Sequence, residues 1–188
     1  CGHPIKNNNT YLLNKKGWKG INIDLDKDNI NLFKIFRKND HNIIGAVSNK
    51  VKEVDLFFYH KKSALNTIST ENANFQAAKF SSIIKIKTTT LNQIIANSVF
   101  KNKKIDFLSI DVEGSELEVL KDFNFTKYEP KVIVVEYLDL SLSKLEIKNL
   151  DISKVMNSDI YELITSKNYT LVNMLHSDLV FVNNNFRD

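Results

Sequence analysis

Two carboxylates lie where a predicted buried strand turns into a predicted helix. The apolar run Ile105–Ile110 is typical of a buried strand, and Ser115–Leu120 is typical of a helix start, with Asp111 and Glu113 between them. Ligands of open α/β sheets bind at the carboxyl ends of strands, so we expect a cleft here. The two carboxylates could serve as general base, as metal ligands or as acceptors for a cationic part of a cofactor. Asp111 is the stronger candidate, and the alternative is that one of the two only caps the helix.

The helix start has its own signal. Ser115 and Glu118 have the spacing of a capping box, in which each side chain satisfies a backbone N–H at the other position. Thr90 and Gln93 have the same spacing and predict a second helix start. Glu136 ends the next apolar strand and is expected at the same sheet edge as Asp111, either against substrate or in solvent.

A second acidic position follows an early strand. Asp24 ends the predicted strand that begins at Ile21, about twenty residues after Gly2 in a turn-rich opening loop. Rossmann-like nucleotide sites use such a glycine for close backbone approach and such an acid to bind ribose hydroxyls. His3 lies in the same loop and is the one histidine that we would test as a base. The alternative is that Asp24 only caps the following helix.

Two other functions remain open at this point. Asp24-Leu25-Asp26 is a DxD pattern, which in nucleotide-sugar glycosyltransferases binds a divalent cation through oxygen ligands. A metal-dependent glycosyltransferase is therefore a rival, as is a non-catalytic Rossmann-like binding fragment. The four histidines and one cysteine have no metal-ligand spacing, and we predict no metal site.

The elements around these residues alternate. Helices are predicted near residues 10–16 and at Asp28–Lys38, and strands at Ile21–Ile23 and Asn42–Val47, an order that favours βαβ units and a parallel sheet. Tyr169–Leu175 and Leu179–Asn183 predict a closing antiparallel hairpin. The fold class is therefore α/β, with a mostly parallel sheet and a C-terminal antiparallel hairpin.

The middle of the chain differs in character. Residues 50–88 contain two predicted strands around a polar segment, and they are interpreted as an insertion or lid, or as an extra hairpin at the sheet edge. The polar stretch Leu138–Asn149 is interpreted as a mobile loop or a short helix. At 188 residues the chain is most simply one domain.

Composition narrows the classes of partner. The net charge is +4, the lysines are scattered among acidic residues, and only Arg37 and Arg187 are arginines, so nucleic-acid binding is not favoured. No apolar run approaches the length of a membrane span, and no signal-peptide pattern is present. We expect a cytoplasmic protein that neither spans a membrane nor binds nucleic acid.

Several blocks together resemble the FkbM family of S-adenosylmethionine-dependent methyltransferases. They are Asn9–Leu13, Lys16–Asp24, Ala46–Ser48, Thr88–Leu91, Ile105–Glu116, Val132–Glu136 and the closing hairpin. The resemblance implies a Rossmann-like class I methyltransferase fold, S-adenosylmethionine as cofactor, and methylation of a hydroxyl on a sugar, glycolipid precursor or related metabolite.

The resemblance also assigns residues. It implies that Gly2 lies beside the methionine part of the cofactor, that Asp24 binds ribose, that Val47 and Ser48 lie near adenine, and that Asp111 lies by the methyl group. The first motif of the family, an Asp-x-Gly at the end of the first strand, would precede residue 1. We therefore expect a single methyltransferase domain over 1–188 that is truncated before its first strand.

Overall fold

The computed structural model describes residues 2–61, 63, 65–75, 79–138 and 151–187. Its helices are α1 (Tyr11–Lys15), α2 (Lys27–Phe36), α3 (Thr70–Phe75), α4 (Leu91–Ala96), α5 (Glu116–Asp122), α6 (Phe125–Tyr128), α7 (Ile152–Met156) and α8 (Asp159–Thr165). Its strands are β1 (Ile21–Asp24), β2 (His41–Ile44), β3 (Ala46–Val47), β4 (Glu53–Phe58), β5 (Ser82–Thr89), β6 (Phe107–Ile110), β7 (Val132–Glu136), β8 (Tyr169–Leu175) and β9 (Asp178–Asn183). The predicted loop or short helix at Leu138–Asn149 lies, after its first residue, outside the described residues.

The described strands form three sheets. β1 pairs in parallel with β2, β5 lies between β3 and β4, and the third sheet has the order β6-β7-β9-β8. β3–β5 and β6–β7 are parallel, whereas β4–β5, β7–β9 and β8–β9 are antiparallel. The α/β class and the closing hairpin are confirmed.

The prediction of one mostly parallel sheet is not confirmed. Parallel and antiparallel pairings are equally frequent among the described strands, because β5 pairs antiparallel with β4 as well as parallel with β3, and β9 inserts between β7 and β8. The predicted strand at Asn42–Val47 also divides into β2 and β3, with Gly45 between them. The sheets are thus mixed.

The main core holds the four-stranded sheet against helices. Ile133 of β7, Phe181 of β9 and Ile164 of α8 are fully buried, and Leu120 of α5 is 1% exposed. Burying a side chain of this size contributes about 1.5–3 kcal/mol. The carboxyl ends of β6 and β7 are therefore held on a packed support. No helix in the described ranges has the length and apolar content to cross a membrane.

Helix α2 buries only part of its apolar residues. Ile30 and Phe33 are fully buried, whereas Ile35 and Phe36 are 68% and 54% exposed. The helical period places Arg37 next on the buried face, where it is 3% exposed. Its guanidinium donates hydrogen bonds to the Pro4 carbonyl and to the side chains of Asn8 and Thr10. These bonds fasten the opening segment to α2.

One predicted capping box is present and the other is not. Thr90 and Gln93 form the reciprocal contacts of a capping box at the start of α4. Ser115 makes no side-chain cap contact with α5, and the Glu118 carboxylate instead accepts a hydrogen bond from the side chain of Asn49. The capping box predicted at Ser115 and Glu118 is therefore wrong.

Candidate functional site

Five acidic residues meet beside the ends of β6 and β7, and we call them the carboxyl cluster. They are Asp111, Glu113, Glu116, Glu136 and Asp178. Ile110 lies opposite Val135 in the parallel β6–β7 pair, and Glu136 lies opposite Asp178 in the antiparallel β7–β9 pair. One carboxylate oxygen each from Asp111, Glu116 and Glu136 lies within 4.8 Å of the others. The strand register thus brings together acidic residues from three strand ends.

The cluster holds protons at neutral pH. Burial, with help from Asp111 and Glu116, raises the pKa of Glu113 to about 7. Burial, with help from Asp111 and Glu113, raises the pKa of Glu136 to about 9. Burial also raises the pKa of Glu116 and that of Asp178. At pH 7 Glu136 is therefore neutral, whereas Glu113 is close to half ionised.

Glu136 has an unsatisfied oxygen. Its Oε1 accepts a long hydrogen bond of 3.5 Å from Ser177, whereas Oε2 is buried with no hydrogen-bond partner among the described residues. A buried carboxyl oxygen left without a partner costs about 1–3 kcal/mol. The carboxyl group of Glu136 is therefore available to a ligand that offers a donor or acceptor.

Glu116 has a structural task in the cluster. Its carboxylate accepts hydrogen bonds from the backbone N–H groups of Val112 at 2.8 Å and Gly114 at 3.1 Å. Glu113 and Gly114 have φ of 56° and 93°, and this left-handed turn points the N–H groups at Glu116 rather than at Ser115. Three carboxylates this close are spaced tightly enough for a cation, but Glu116 is already committed to the turn. Buried carboxylates this close also share protons, and the absence of a metal at this site stays a prediction.

Asp24 lies at the carboxyl end of β1 and is held by the opening loop. Its Oδ2 accepts from the Gly2 N–H at 2.8 Å and from the Asn29 side chain at 3.3 Å, and its Oδ1 accepts from the Asp26 N–H at 2.7 Å. Gly2, predicted beside the methionine part of the cofactor, and Asp24, predicted to bind its ribose, are thus in direct contact. Asp26 caps α2 through the N–H groups of Asp28 and Asn29, so the second residue of the DxD pattern is a helix cap.

His3 orders the opening loop. Its Nδ1 accepts hydrogen bonds from the backbone N–H groups of Ile5 and Lys6, each at 3.1 Å. A ring nitrogen that accepts hydrogen bonds does so through its lone pair, so the Nδ1 lone pair of His3 is already engaged by the loop backbone. Its predicted role as a base would require this turn to open.

Val47 and Ser48 lie inside the fold. Val47 is 9% exposed and belongs to the main core, and Ser48 is 3% exposed with its N–H bonded to the Thr89 carbonyl. The next residue, Asn49, contacts Glu118 of α5. The end of β3 is therefore tied to the helix that follows the carboxyl cluster.

The opening segment also reaches the cluster. The Asn9 side chain donates to Ser109 Oγ of β6 at 3.2 Å, and it also hydrogen-bonds the carboxylate of Asp178. The opening segment thus contacts Asp24 through Gly2 and the carboxyl cluster through Asn9. It connects the predicted ribose-binding end of the site with the carboxyl cluster.

Two members of the cluster escaped the sequence interpretation. Glu116 was hidden by the stronger capping signal of Ser115 and Glu118. Asp178 was placed in the hairpin turn, although antiparallel pairing of β9 with β7 would have brought it opposite Glu136.

A family model described as the methyltransferase FkbM domain matches residues 1–171. Neither a curated protein nor a solved structure matches the chain. The matched range contains Asp24, Asp111 and Glu136 together with the opening segment, and it covers most of the 188 residues. The chain therefore belongs to the FkbM family of methyltransferases.

Proposed function

We propose that the protein is an S-adenosylmethionine-dependent O-methyltransferase that acts on a hydroxyl of a sugar, glycolipid precursor or related metabolite. Family membership supports the reaction class. One observation carries the chemistry: Glu113, whose pKa is raised by burial to about 7, lies beside the exposed carboxylate of Asp111 at the end of β6. A general base works best when its pKa is near the working pH.

The residues present fit the chemistry of S-adenosylmethionine. This cofactor has a ribose diol, an ammonium group and a sulfonium, and carboxylates suit all three. In the proposed site Asp24 binds the ribose hydroxyls, sharing or replacing the contact from Gly2. Asp111 lies by the methyl group, and Val47 and Ser48 form the side of the site near adenine. The parallel pairs β1–β2 and β6–β7 then belong to one Rossmann-like arrangement of the class I type.

The chain contributes alignment and proton transfer. S-adenosylmethionine supplies a methyl group on a positively charged sulfur, so the acceptor oxygen needs alignment more than strong activation. Asp111 orients the acceptor hydroxyl, and Glu113 takes its proton as the carbon–oxygen bond forms and the carbon–sulfur electron pair returns to sulfur. Glu136 is neutral at pH 7, so it does not compete with Glu113 for the acceptor's proton. It donates a hydrogen bond within the site instead.

Two alternatives are less well supported. The DxD function needs Asp26 on a metal, but Asp26 caps α2. A non-catalytic binding fragment is compatible with the family match, and only an activity measurement separates it from the enzyme.

The test is methyl transfer. The purified protein is incubated with methyl-labelled S-adenosylmethionine and a panel of monosaccharides, glycolipids and other hydroxylated compounds. We expect label in at least one acceptor and at least about a tenfold loss of turnover in Glu113→Gln, the size of effect typical of a lost general acid or base. Asp106→Asn, before β6, is the matched control and should retain turnover. Transfer by Glu113→Gln at the unmodified rate would contradict the assignment.

A further inference from the structure

The segment before and within α3 contacts the turn that carries Glu113. Thr67 Oγ1 donates to the Glu113 carbonyl at 2.6 Å, and Asn72 Nδ2 donates to the same carbonyl at 2.7 Å. Both donors are almost fully buried, with 0% of Thr67 and 1% of Asn72 exposed. One backbone carbonyl of the candidate site is therefore held by two buried side chains that lie 46 and 41 residues away in the chain.

The turn that they hold is an unusual one. Glu113 has φ of 56°, a left-handed conformation that a residue with a side chain adopts only when its surroundings enforce it. Gly114 follows with φ of 93°, and a Cβ built there would lie 3.0 Å from the Cβ of Asn72 and 3.3 Å from that of Ser69. The turn and α3 thus approach as closely as a glycine permits.

Asn72 is itself fixed in place. Its N–H donates to Ser69 Oγ at 3.1 Å, and the Ser69 N–H donates to Thr67 Oγ1 at 2.9 Å. Thr67 exchanges backbone hydrogen bonds with Phe57 of β4. Hydrogen bonds therefore run without a break from β4 through Thr67 and Asn72 to Glu113.

The Asn72 side chain also hydrogen-bonds the carboxylate of Glu113. Among the described residues, the other charged groups that face this carboxylate are acidic: Asp111 from the end of β6, Glu116 from α5 and Glu136 from β7. They and burial raise the pKa of Glu113, whereas the Asn72 amide, as a donor to the charged form, lowers it. Asn72 and the acidic neighbours thus act on the pKa of Glu113 in opposite directions.

We propose that Asn72 is a positioning residue of the methyl-transfer site, whose amide holds both the backbone and the carboxyl group of Glu113 in place. The proposal rests on the proposed function only in that Glu113 takes the acceptor proton. It assigns the segment Thr67–Phe75 to a fixed wall of the site, which is a sharper role than the insertion or lid predicted for residues 50–88.

The test follows Glu113 and Asn72 directly by nuclear magnetic resonance. The Glu113 carboxyl carbon, assigned by its loss in Glu113→Gln, is titrated in the unmodified protein and in Asn72→Ala. Asn74→Ala is the matched control, since Asn74 is the same residue type on the exposed face of α3. We expect the pKa of Glu113 to rise by about one unit in Asn72→Ala, the size of effect of one lost hydrogen bond to a charged group, and to stay unchanged in Asn74→Ala.

A measurement on the unmodified protein covers the case in which Asn72→Ala does not fold. The side-chain amide resonances of Asn72 should shift with pH along the same curve as the Glu113 carboxyl carbon. Asn72 resonances that do not follow Glu113, or an unchanged Glu113 pKa in folded Asn72→Ala, would overturn the proposal. Calorimetry with S-adenosylhomocysteine on the same samples separates the two claims, because absent binding with a shifted Glu113 pKa would refute the proposed cofactor and leave the positioning role in place.

Discussion

Glu136 gives the most direct test of the carboxyl cluster, because its raised pKa has a cost that can be measured. The group titrates near 4.5 in an unperturbed chain and near 9 in the folded protein. Between these values the folded state holds a proton that the unfolded state has released. The stability contributed by Glu136 is therefore fully present below about pH 4.5 and is lost as the pH rises toward 9.

The structure sets the size of this loss. One such group lowers the free energy of unfolding by up to about 1.4 kcal/mol per pH unit, so the upper bound between pH 5 and pH 8 is about 4 kcal/mol. Glu136 is partly accessible to solvent and shares the proton with its acidic neighbours. We therefore expect about half of that bound, or about 2 kcal/mol.

Glu136→Gln removes the titration while keeping the shape of the side chain. Urea unfolding followed by circular dichroism should give similar free energies for both proteins at pH 5, and a variant more stable by about 2 kcal/mol at pH 8. Glu53→Gln, at an exposed position of β4, is the control for the loss of one carboxylate. An equal difference between Glu136→Gln and the unmodified protein at both pH values would refute the raised pKa.

Two further predictions concern the supports of the site. Gly114→Ala should lower the free energy of unfolding by more than Gly17→Ala does: both glycines have positive φ, at 93° and 89°, but a Cβ contacts Asn72 only at Gly114. The left-handed strain alone is about 1–2 kcal/mol, so equal losses in urea unfolding would contradict the close packing of α3 on the turn. Thr90→Ala should cost about 1 kcal/mol through loss of the capping box, whereas Thr90→Ser should restore most of it, and thermal melting that fails to separate the two would contradict the cap.

Patterns local in the chain predicted much of the site. The apolar run that ends at Ile110 forms a strand, and Glu136 lies at the neighbouring strand end, as expected from parallel strands that share a carboxyl edge. The Thr90 capping box and the closing hairpin were also predicted correctly. The resemblance to the FkbM family is confirmed by the family model.

Other features depend on contacts that leave no local signal. Ser115 and Glu118 have a capping spacing, but the positive φ values of Glu113 and Gly114 turn the backbone N–H groups toward Glu116. Asn72 meets Glu113 from 41 residues away, out of a polar segment with weak periodicity. Such pairs are set by how elements pack rather than by spacing along the chain.

The exposed apolar side chains mark another limit of pattern interpretation. Ile35 and Phe36 extend the apolar content of α2 beyond its buried face, and the large apolar side chain of Trp18 is 44% exposed. A helix buries the stripe that its neighbours cover, and here Arg37 occupies the position next to Phe33 because it binds the opening segment.

If Asp24 and the carboxyl cluster form one site for S-adenosylmethionine, calorimetric titration with S-adenosylhomocysteine should detect it. We expect binding at a single site, at least about tenfold weaker in Asp24→Ala because a hydrogen bond to a charged group is lost. Asp28→Asn, a neighbouring acid of α2, should bind like the unmodified protein. No binding by the unmodified protein, or equal affinity in Asp24→Ala, would rule out this shared site.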